Sequence, residues 1–365
     1  MPRQSVRYLG LVTEFKRTNR RMHNKSLTVD ASLSIVGGRN IGEEYFEINQ
    51  DVQFDDYEVL MVGEIVDEVS TGFDLFWNSD LAVPMEGFGL EVDPVKLDQW
   101  RDFIRKTVQT QAEGLYATAM TSPLLQELRA GTVEPVVATA TLVTDKPDKL
   151  SAEVGEREHK VLVEEMARRF LGAERELLII TPYYIPREAG AEFMENLVAR
   201  GIRVIIVTNS LASTNHVPVH SGYARYRKRM LQAGVEFYEV RVDSVSDDNL
   251  WGNQPQSVTL HSKATIIDQQ SIFIGSLNFD PRSIDINTEM GIFIESAEVG
   301  SKFRDSIIGE LKNMTWKVEL DEKGKLRWTY DDGEHQQVTD KEPQASWWRR
   351  FQVGFYRLLP IENQL

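Results

Sequence analysis

Two segments of this chain repeat the same residue pattern, and this repeat constrains the fold more than any other feature of the sequence. Each segment has a Lys two residues after a His, an Asp seven, a Gly fourteen and an Asn seventeen residues after it. The first copy consists of His23, Lys25, Asp30, Gly37 and Asn40, and the second of His261, Lys263, Asp268, Gly275 and Asn278, always 238 positions apart. A match of this many positions at constant spacing predicts two halves of similar fold.

The spacing within each copy indicates how the side chains are arranged. The apolar residues between Lys and Asp predict a β-strand, and alternate residues of a strand point to the same face. His and Lys would then lie side by side, as an imidazole and an ammonium suited to a phosphate, and Asn could return an amide donor to the same pocket. Gly38 and Ser276, at the turn before each Asn, would let the backbone approach an anion closely.

Asp30 and Asp268 complete the candidate catalytic set. Each falls on the opposite parity from its His, at the end of the predicted strand and before a turn. We therefore interpret both mainly as turn-fixing or ion-pairing residues rather than as bases.

The rest of the chain predicts an α/β fold. Strand-like runs alternate with helical stretches: strands at residues 136–143, 177–181, 203–208 and 235–240, and helices at 160–170, 188–200 and 222–232. This alternation is typical of a mostly parallel sheet covered by helices. After residue 312, alternating apolar and polar residues flank a polar turn at 321–324, which predicts a hairpin.

Composition narrows the class of protein. The 365 residues include 41 Lys and Arg against 56 Asp and Glu, and the formal net charge of −15 disfavours a general nucleic-acid-binding protein. Without cysteine the chain has no disulfide, no thiolate metal site and no cysteine nucleophile. Its apolar runs are far shorter than the roughly eighteen residues that a membrane span needs.

The two copies resemble the His-x-Lys-x4-Asp signature of the phospholipase D superfamily, including its trailing Gly-Gly/Ser-x-Asn. Further segments resemble the bacterial cardiolipin synthases of the C type, and this similarity extends over nearly the whole chain: residues 20–25, 37–42, 208–211, 222–227 and 277–283. The resemblance implies two phospholipase D-like repeats, each a mostly parallel mixed sheet flanked by helices, around one shared active site.

The resemblance also implies a metal-free, cofactor-free ping-pong mechanism with a phosphohistidine intermediate. In relatives the N-terminal histidine is usually the nucleophile, which would assign that role to His23 and the acid and base role to His261; the sequence itself does not distinguish them. The groups that would hold the phosphoryl oxygens are Lys25, Lys263, Asn40 and Asn278.

A carboxylate should orient each histidine and stabilise its protonated form. Glu289 matches the family position in the second copy. Three candidates for the partner of the first histidine stay open: the constant offset indicates Asp51, the strand that follows favours Glu58, and Asp56 lies nearby.

The function that the resemblance implies is a phosphatidyltransferase of cardiolipin synthesis, acting on phosphatidylglycerol and, as a further substrate, phosphatidylethanolamine. The alternatives are a phospholipase D-type phosphodiesterase that uses water and a truncated, non-catalytic lipid-binding relative. The enzyme would be peripheral, on the cytoplasmic side of the inner membrane, and would not bind nucleic acid. The sequence leaves open whether an accessory protein takes part.

We expect an N-terminal repeat at residues 1–130, a C-terminal repeat at 131–312, and a hairpin with an amphipathic tail at 313–365. The strand at residue 136 precedes His261 by 125 positions, whereas 22 residues precede His23. About one hundred residues, corresponding to the first strands and helices, would therefore be missing from the first repeat. We expect this repeat to be incomplete and to expose an unpaired sheet edge.

The tail at residues 347–360 has no acidic residue and combines aromatic residues with three arginines. In an otherwise acidic chain, this composition predicts an interfacial helix in contact with anionic lipid. The alternative is that its apolar residues pack against the rest of the protein: Trp348, Phe351, Phe355 and Leu358.

Overall fold

The computed structural model describes residues 19–46, 48–49, 51–89, 93–153, 159–244 and 256–365. The start of the first predicted repeat, residues 1–18, lies outside the described residues. The described chain is a mixed α/β protein with three sheets of three, ten and two strands, so the predicted fold class is confirmed.

The first half forms a small antiparallel sheet covered by a helix. Its elements in chain order are strands β1 (Ser26–Val29), β2 (Leu33–Gly37), β3 (Val52–Asp55) and β4 (Glu58–Val62), then helices α1 (Ile65–Trp77), α2 (Pro94–Met120) and α3 (Pro123–Ala130). The sheet has the order β1-β2-β4. The apolar residues of α1 recur along one face, and Val66 and Val69 on this face are buried against the sheet.

The second half contains the remaining strands and helices. They are β5 (Thr139–Thr144), α4 (Val161–Leu171), β6 (Glu176–Ile180), α5 (Arg187–Ala199), β7 (Arg203–Asn209), α6 (Val217–Ala233), β8 (Glu236–Val240), β9 (Ser257–Leu260), β10 (Ala264–Ile267), β11 (Ser271–Gly275), α7 (Pro281–Asp285), β12 (Met290–Glu295), α8 (Ala297–Met314), β13 (Thr315–Leu320), β14 (Leu326–Asp331), β15 (Gln336–Thr339) and α9 (Trp347–Tyr356). One apolar cluster, including Phe170, Tyr223 and Phe237, covers one face of the large sheet. A second cluster, including Leu178, Ile205 and Ile266, covers the other face.

The large sheet has the order β15-β14-β13-β8-β7-β6-β10-β11-β12-β5. Strands β6, β7 and β8 pair in parallel, and the other pairings described in this sheet are antiparallel. The expectation of a mostly parallel sheet is therefore wrong. Parallel neighbours need crossover connections, and α5 and α6 supply these between β6, β7 and β8. The repeated motif instead folds as a hairpin, so its two strands are antiparallel. The predicted C-terminal hairpin forms as β13 and β14 and continues this sheet at β8.

The repeated motif has the same register in both halves. Ser26 lies opposite Val36 in β1 and β2, and Ala264 lies opposite Ile274 in β10 and β11. Strand β10 also pairs with β6, whereas β1 has no second neighbour among the described strands. The described sheet of the first half therefore has three strands, while its counterpart lies within a sheet of ten.

Candidate active site

Two short parallel contacts between the halves bring the motif residues together. In the first contact, β3 pairs with β9, and Asp55 lies opposite Leu260 at the end of both strands. The backbone N–H of His261 donates to the carbonyl of Asp55 at 2.7 Å. The residues that follow the two strands therefore lie side by side, with Asp56 Oδ2 2.7 Å from His261 Nδ1.

A matching contact joins Met22 to Thr288. The N–H of His23 donates to the carbonyl of Thr288 at 3.0 Å, and the N–H of Thr288 donates to the carbonyl of Arg21 at 3.1 Å. Glu289 Oε2 consequently lies 2.7 Å from His23 Nδ1. Each histidine is thus paired with a carboxylate from the other half of the chain.

None of the three candidates that the sequence leaves open is the partner of the first histidine. That partner is Glu289, the carboxylate that follows the second copy, and Asp56 pairs with His261. The other two candidates bind elsewhere: Asp51 accepts a hydrogen bond from Gln256, and Glu58 accepts one from Arg39 at 2.9 Å.

The physical reason is a difference in chain length after the two asparagines of the repeat. Glu289 follows Asn278 by eleven positions, but Asp56 follows Asn40 by sixteen. The constant offset of 238 positions therefore fails after the asparagine. The sequence also does not show that parallel contacts between the halves exchange the two carboxylates.

Gly38 and Ser276 lie directly behind these carboxylates. The Ser276 hydroxyl donates to Glu289 Oε2 at 2.5 Å and is fully buried. A Cβ atom at Gly38 would lie 2.4 Å from Asp56 Oδ1, so only glycine leaves room for that carboxylate. The expectation that both let the backbone approach a phosphate stays a prediction; the structure shows that both support the carboxylates.

Both lysines lie beside their histidines, in the short segments that precede β1 and β10 rather than on the strands themselves. Lys25 Nζ donates to the carbonyl of His23 at 2.7 Å, and Lys263 Nζ lies 2.8 Å from His261 Nδ1. Burial lowers the pKa of Lys25 to about 8 and that of Lys263 to about 7, although Asp56 and Glu289 act in the opposite direction.

The two carboxylates differ in their electrostatics. Burial raises the pKa of Asp56 to about 6, against the opposing charges of Lys263 and Arg39. Burial also acts to raise the pKa of Glu289, but the charge and hydrogen bond of His23 outweigh it, so that this pKa is lowered. The pKa of His261 lies well below its ordinary value because of burial and the positive charge of Lys263. Burial and the neighbouring ammonium therefore disfavour the protonated ring of His261.

Both histidines line one cleft of about 530 Å³. Asn40 and Asn278 line the same cleft, as the sequence predicts for phosphate-binding groups. Asn40 Nδ2 donates to the Tyr45 hydroxyl at 2.7 Å. Asn278 Nδ2 donates to the Ser283 hydroxyl at 3.3 Å. These amides can therefore exchange one hydroxyl partner for a phosphoryl oxygen.

Asp30 and Asp268 do not line the cleft. Asp268 follows β10, and its carboxylate accepts hydrogen bonds from three successive backbone N–H groups, at residues 174–176. Asp30 lies in the turn after β1 with a left-handed φ of 50°, and Asp268 has the matching φ of 53°. The structure thus places both at turns, and their inclusion in the catalytic set is wrong.

Several cleft residues were missed by the sequence analysis: Arg21, Tyr45, Tyr183, His216, Asp280 and Arg282. Tyr183 and His216 follow β6 and β7, and the carboxyl ends of parallel strands are where α/β proteins usually place their sites. This rule could have found them. Asp280 is buried, and burial raises its pKa to about 7.

The described residues contain neither a candidate metal site nor a candidate membrane-spanning helix. No group of three or more His, Asp or Glu side chains there could hold a metal ion. No helix there is long and apolar enough to cross a membrane.

Comparisons with known proteins identify the relatives of this chain. A family model described as "Cardiolipin synthase, PLD-like domain" matches residues 166–309. Cardiolipin synthase C of Escherichia coli is 34% identical over 366 residues, which covers 98% of this chain and 76% of that protein. Cardiolipin synthase of Oceanobacillus iheyensis is 25% identical, and the match covers 83% of this chain and 50% of that protein.

A solved structure shows the same fold. The crystal structure of phosphatidylserine synthase from Haemophilus influenzae matches with a TM-score of 0.58 at 13% sequence identity, over 96% of this chain and 72% of that one. The chain therefore belongs to the phospholipase D superfamily and, within it, to the family of the bacterial cardiolipin synthases. The expected family and enzyme class, a phospholipase D-type phosphatidyltransferase, are confirmed.

Proposed function

We propose that this enzyme makes cardiolipin by moving a phosphatidyl group from one phospholipid to a hydroxyl of phosphatidylglycerol. The observation that carries the proposal is the pair of histidines, each 2.7 Å from a carboxylate of the opposite half, on one cleft of about 530 Å³. The relatives named cardiolipin synthase support the choice of substrate class.

In the first half-reaction, His23 Nε2 attacks phosphorus, an N–P bond forms, and the P–O bond to the headgroup alcohol breaks. The negative charge of the bound phosphodiester raises the pKa of His261, so that Nε2 takes up a proton before the reaction; His261 gives this proton to the leaving alkoxide and becomes neutral. In the second, His261 takes the proton of an incoming alcohol, whose oxygen attacks phosphorus while the N–P bond breaks. Glu289 hydrogen-bonds Nδ1 of His23 and so stabilises the positive charge on the phosphorylated ring.

The lysines and asparagines would hold the phosphoryl oxygens. The pKa values of about 8 for Lys25 and about 7 for Lys263 mean that burial disfavours two protonated lysines side by side in the site. A bound phosphodiester brings the missing negative charge and raises both pKa values again. Substrate binding and protonation of the lysines are therefore coupled.

The test uses vesicles with labelled phosphatidylglycerol, with and without phosphatidylethanolamine. We expect cardiolipin as the product, and His23→Ala and His261→Ala should each lower the rate by at least about 1000-fold. Phosphatidic acid as the main product would indicate a hydrolase instead. Vesicle binding without turnover would indicate a non-catalytic lipid-binding protein.

We also propose that helix α9 places the enzyme on the membrane surface. Val353 packs on the protein, but the aromatic side chains on the other face do not, because Trp347 is 73% exposed and Phe351 57% exposed. Arg349 fixes the helix from its other side by donating to the carbonyls of Ala212 and Thr214 at 2.6 Å. The helix is thus held to the protein with its aromatic face in solvent, as an interfacial helix requires. Its contact with the cytoplasmic face of the inner membrane is part of this proposal.

Flotation with anionic vesicles tests this role. Replacing Trp347, Trp348 and Phe351 together by Ser should lower vesicle binding roughly tenfold, because the apolar area available for insertion is lost. Val338→Ser removes a comparably exposed apolar side chain on β15 and serves as the matched control. Equal binding by the triple variant and the control would contradict the proposal.

A further inference from the structure

The two histidines of the site differ in what covers their reactive nitrogen. The Tyr45 hydroxyl lies 3.3 Å from His261 Nε2, and the two rings pack edge to face with centroids 5.0 Å apart. Phe54 stacks on the same imidazole with centroids 5.5 Å apart. His23 has no aromatic neighbour of this kind among the described residues.

The two rings that cover His261 come from a part of the first half that is longer than its counterpart in the second half. Tyr45 and Phe54 both lie between Asn40 and Asp56, where the first half has five more residues than the second. Arg39 holds the segment in place: its guanidinium donates to the carbonyl of Tyr45 and pairs with Glu58. Tyr45 is 6% exposed, so packing favours the position of its hydroxyl beside His261 over others.

The hydrogen bonds around Tyr45 fix the direction in which its proton points. Asn40 Nδ2 donates to the Tyr45 oxygen at 2.7 Å. His261 Nδ1 bonds Asp56, and the neutral ring then has its lone pair on Nε2. The Tyr45 O–H can donate to this lone pair, beside Lys263 Nζ at 3.2 Å from the same nitrogen, and this is where the hydroxyl of an acceptor must donate before it attacks phosphorus.

We propose that the Tyr45 hydroxyl occupies the acceptor position on His261 in the resting site and keeps water away from it, so that the reaction favours a lipid alcohol over water. The inference rests on the proposed function. A lipid acceptor displaces the hydroxyl with binding energy from the rest of its headgroup and chains. Water has no such additional contacts, although transfer and hydrolysis share the same step: an O–H proton goes to Nε2, a P–O bond forms and the N–P bond breaks.

Tyr45→Phe tests the proposal. It keeps the ring contacts to Phe54 and His261 but leaves a gap between Asn40 and His261 that a water molecule can fill with the same two partners. We expect the ratio of phosphatidic acid to cardiolipin to rise about fivefold, the effect of one hydrogen bond. A thermal melt confirms that the fold is unchanged. Tyr226→Phe, which removes a hydroxyl bound to Glu362, is the control.

The outcomes separate this inference from the function on which it rests. An unchanged product ratio in Tyr45→Phe, at whatever total rate, would show that Tyr45 only supports the structure and would overturn the inference. The same change in Tyr226→Phe would show that the effect is not specific to the site. A wild-type enzyme without product would overturn the proposed function, and this inference with it.

Discussion

At the scale of single residues, each histidine depends on a carboxylate that is remote in the chain. Glu289 is 266 positions from His23, and Asp56 is 205 positions from His261. A carboxylate at Nδ1 fixes the ring and its tautomer and stabilises the imidazolium. Since both pairs cross between the halves, neither half contains a complete catalytic unit.

The buried Lys263 gives a prediction for the pH dependence. Its ammonium must be protonated to hold a phosphoryl oxygen, so kcat/KM should fall as the pH rises through its free-enzyme pKa of about 7. Asp56 raises this pKa by its charge. Asp56→Asn should therefore move the alkaline limb to lower pH, in addition to a loss of rate of about 100-fold.

The pH profile of kcat/KM in Asp67→Asn is the control. Asp67 is a carboxylate of the same half that lies exposed on α1. Its profile should match that of the wild type. An alkaline limb that stays in place in Asp56→Asn would mean that Lys263 does not set it.

At the scale of elements, the repeat made the strand that follows each His and Lys predictable, but not its antiparallel pairing. The apolar residues between Lys and Asp form β1 and β10, and the turn before the next strand has the same left-handed φ values in both copies. The buried runs of β6 and β7 form parallel strands, as their lack of alternation predicts. Local pattern and turn chemistry suffice for these elements.

The elements that complete the site could not be predicted in the same way. Strands β3 and β9 have four residues each, and they pair only because the halves meet. Their pairing determines which carboxylate reaches His261, so the error at Asp56 and Glu289 has a tertiary cause. The exposed face of α9 also could not be predicted, because an amphipathic pattern fits both a helix that packs on the protein and a helix that contacts a membrane.

At the scale of the whole molecule, the halves share an apolar core as well as a site. Val36, Met61 and Val69 of the first half form one cluster with Met290 and Ile292 of the second. Met290 directly follows Glu289, so the packing of this cluster also positions a catalytic carboxylate. Stability and catalysis are therefore linked at this interface.

Val69→Ala tests the link. Val69 is fully buried, and its truncation should lower the free energy of unfolding by about 2 kcal/mol. Because the halves share the core, we expect one urea transition, the same by tryptophan fluorescence and by far-UV circular dichroism, to move to lower urea. Val95→Ala, at a position that is 64% exposed on α2, should leave the midpoint unchanged. If the far-UV signal shifted while the tryptophan transition stayed in place, the halves would unfold independently, and the shared core would not couple them.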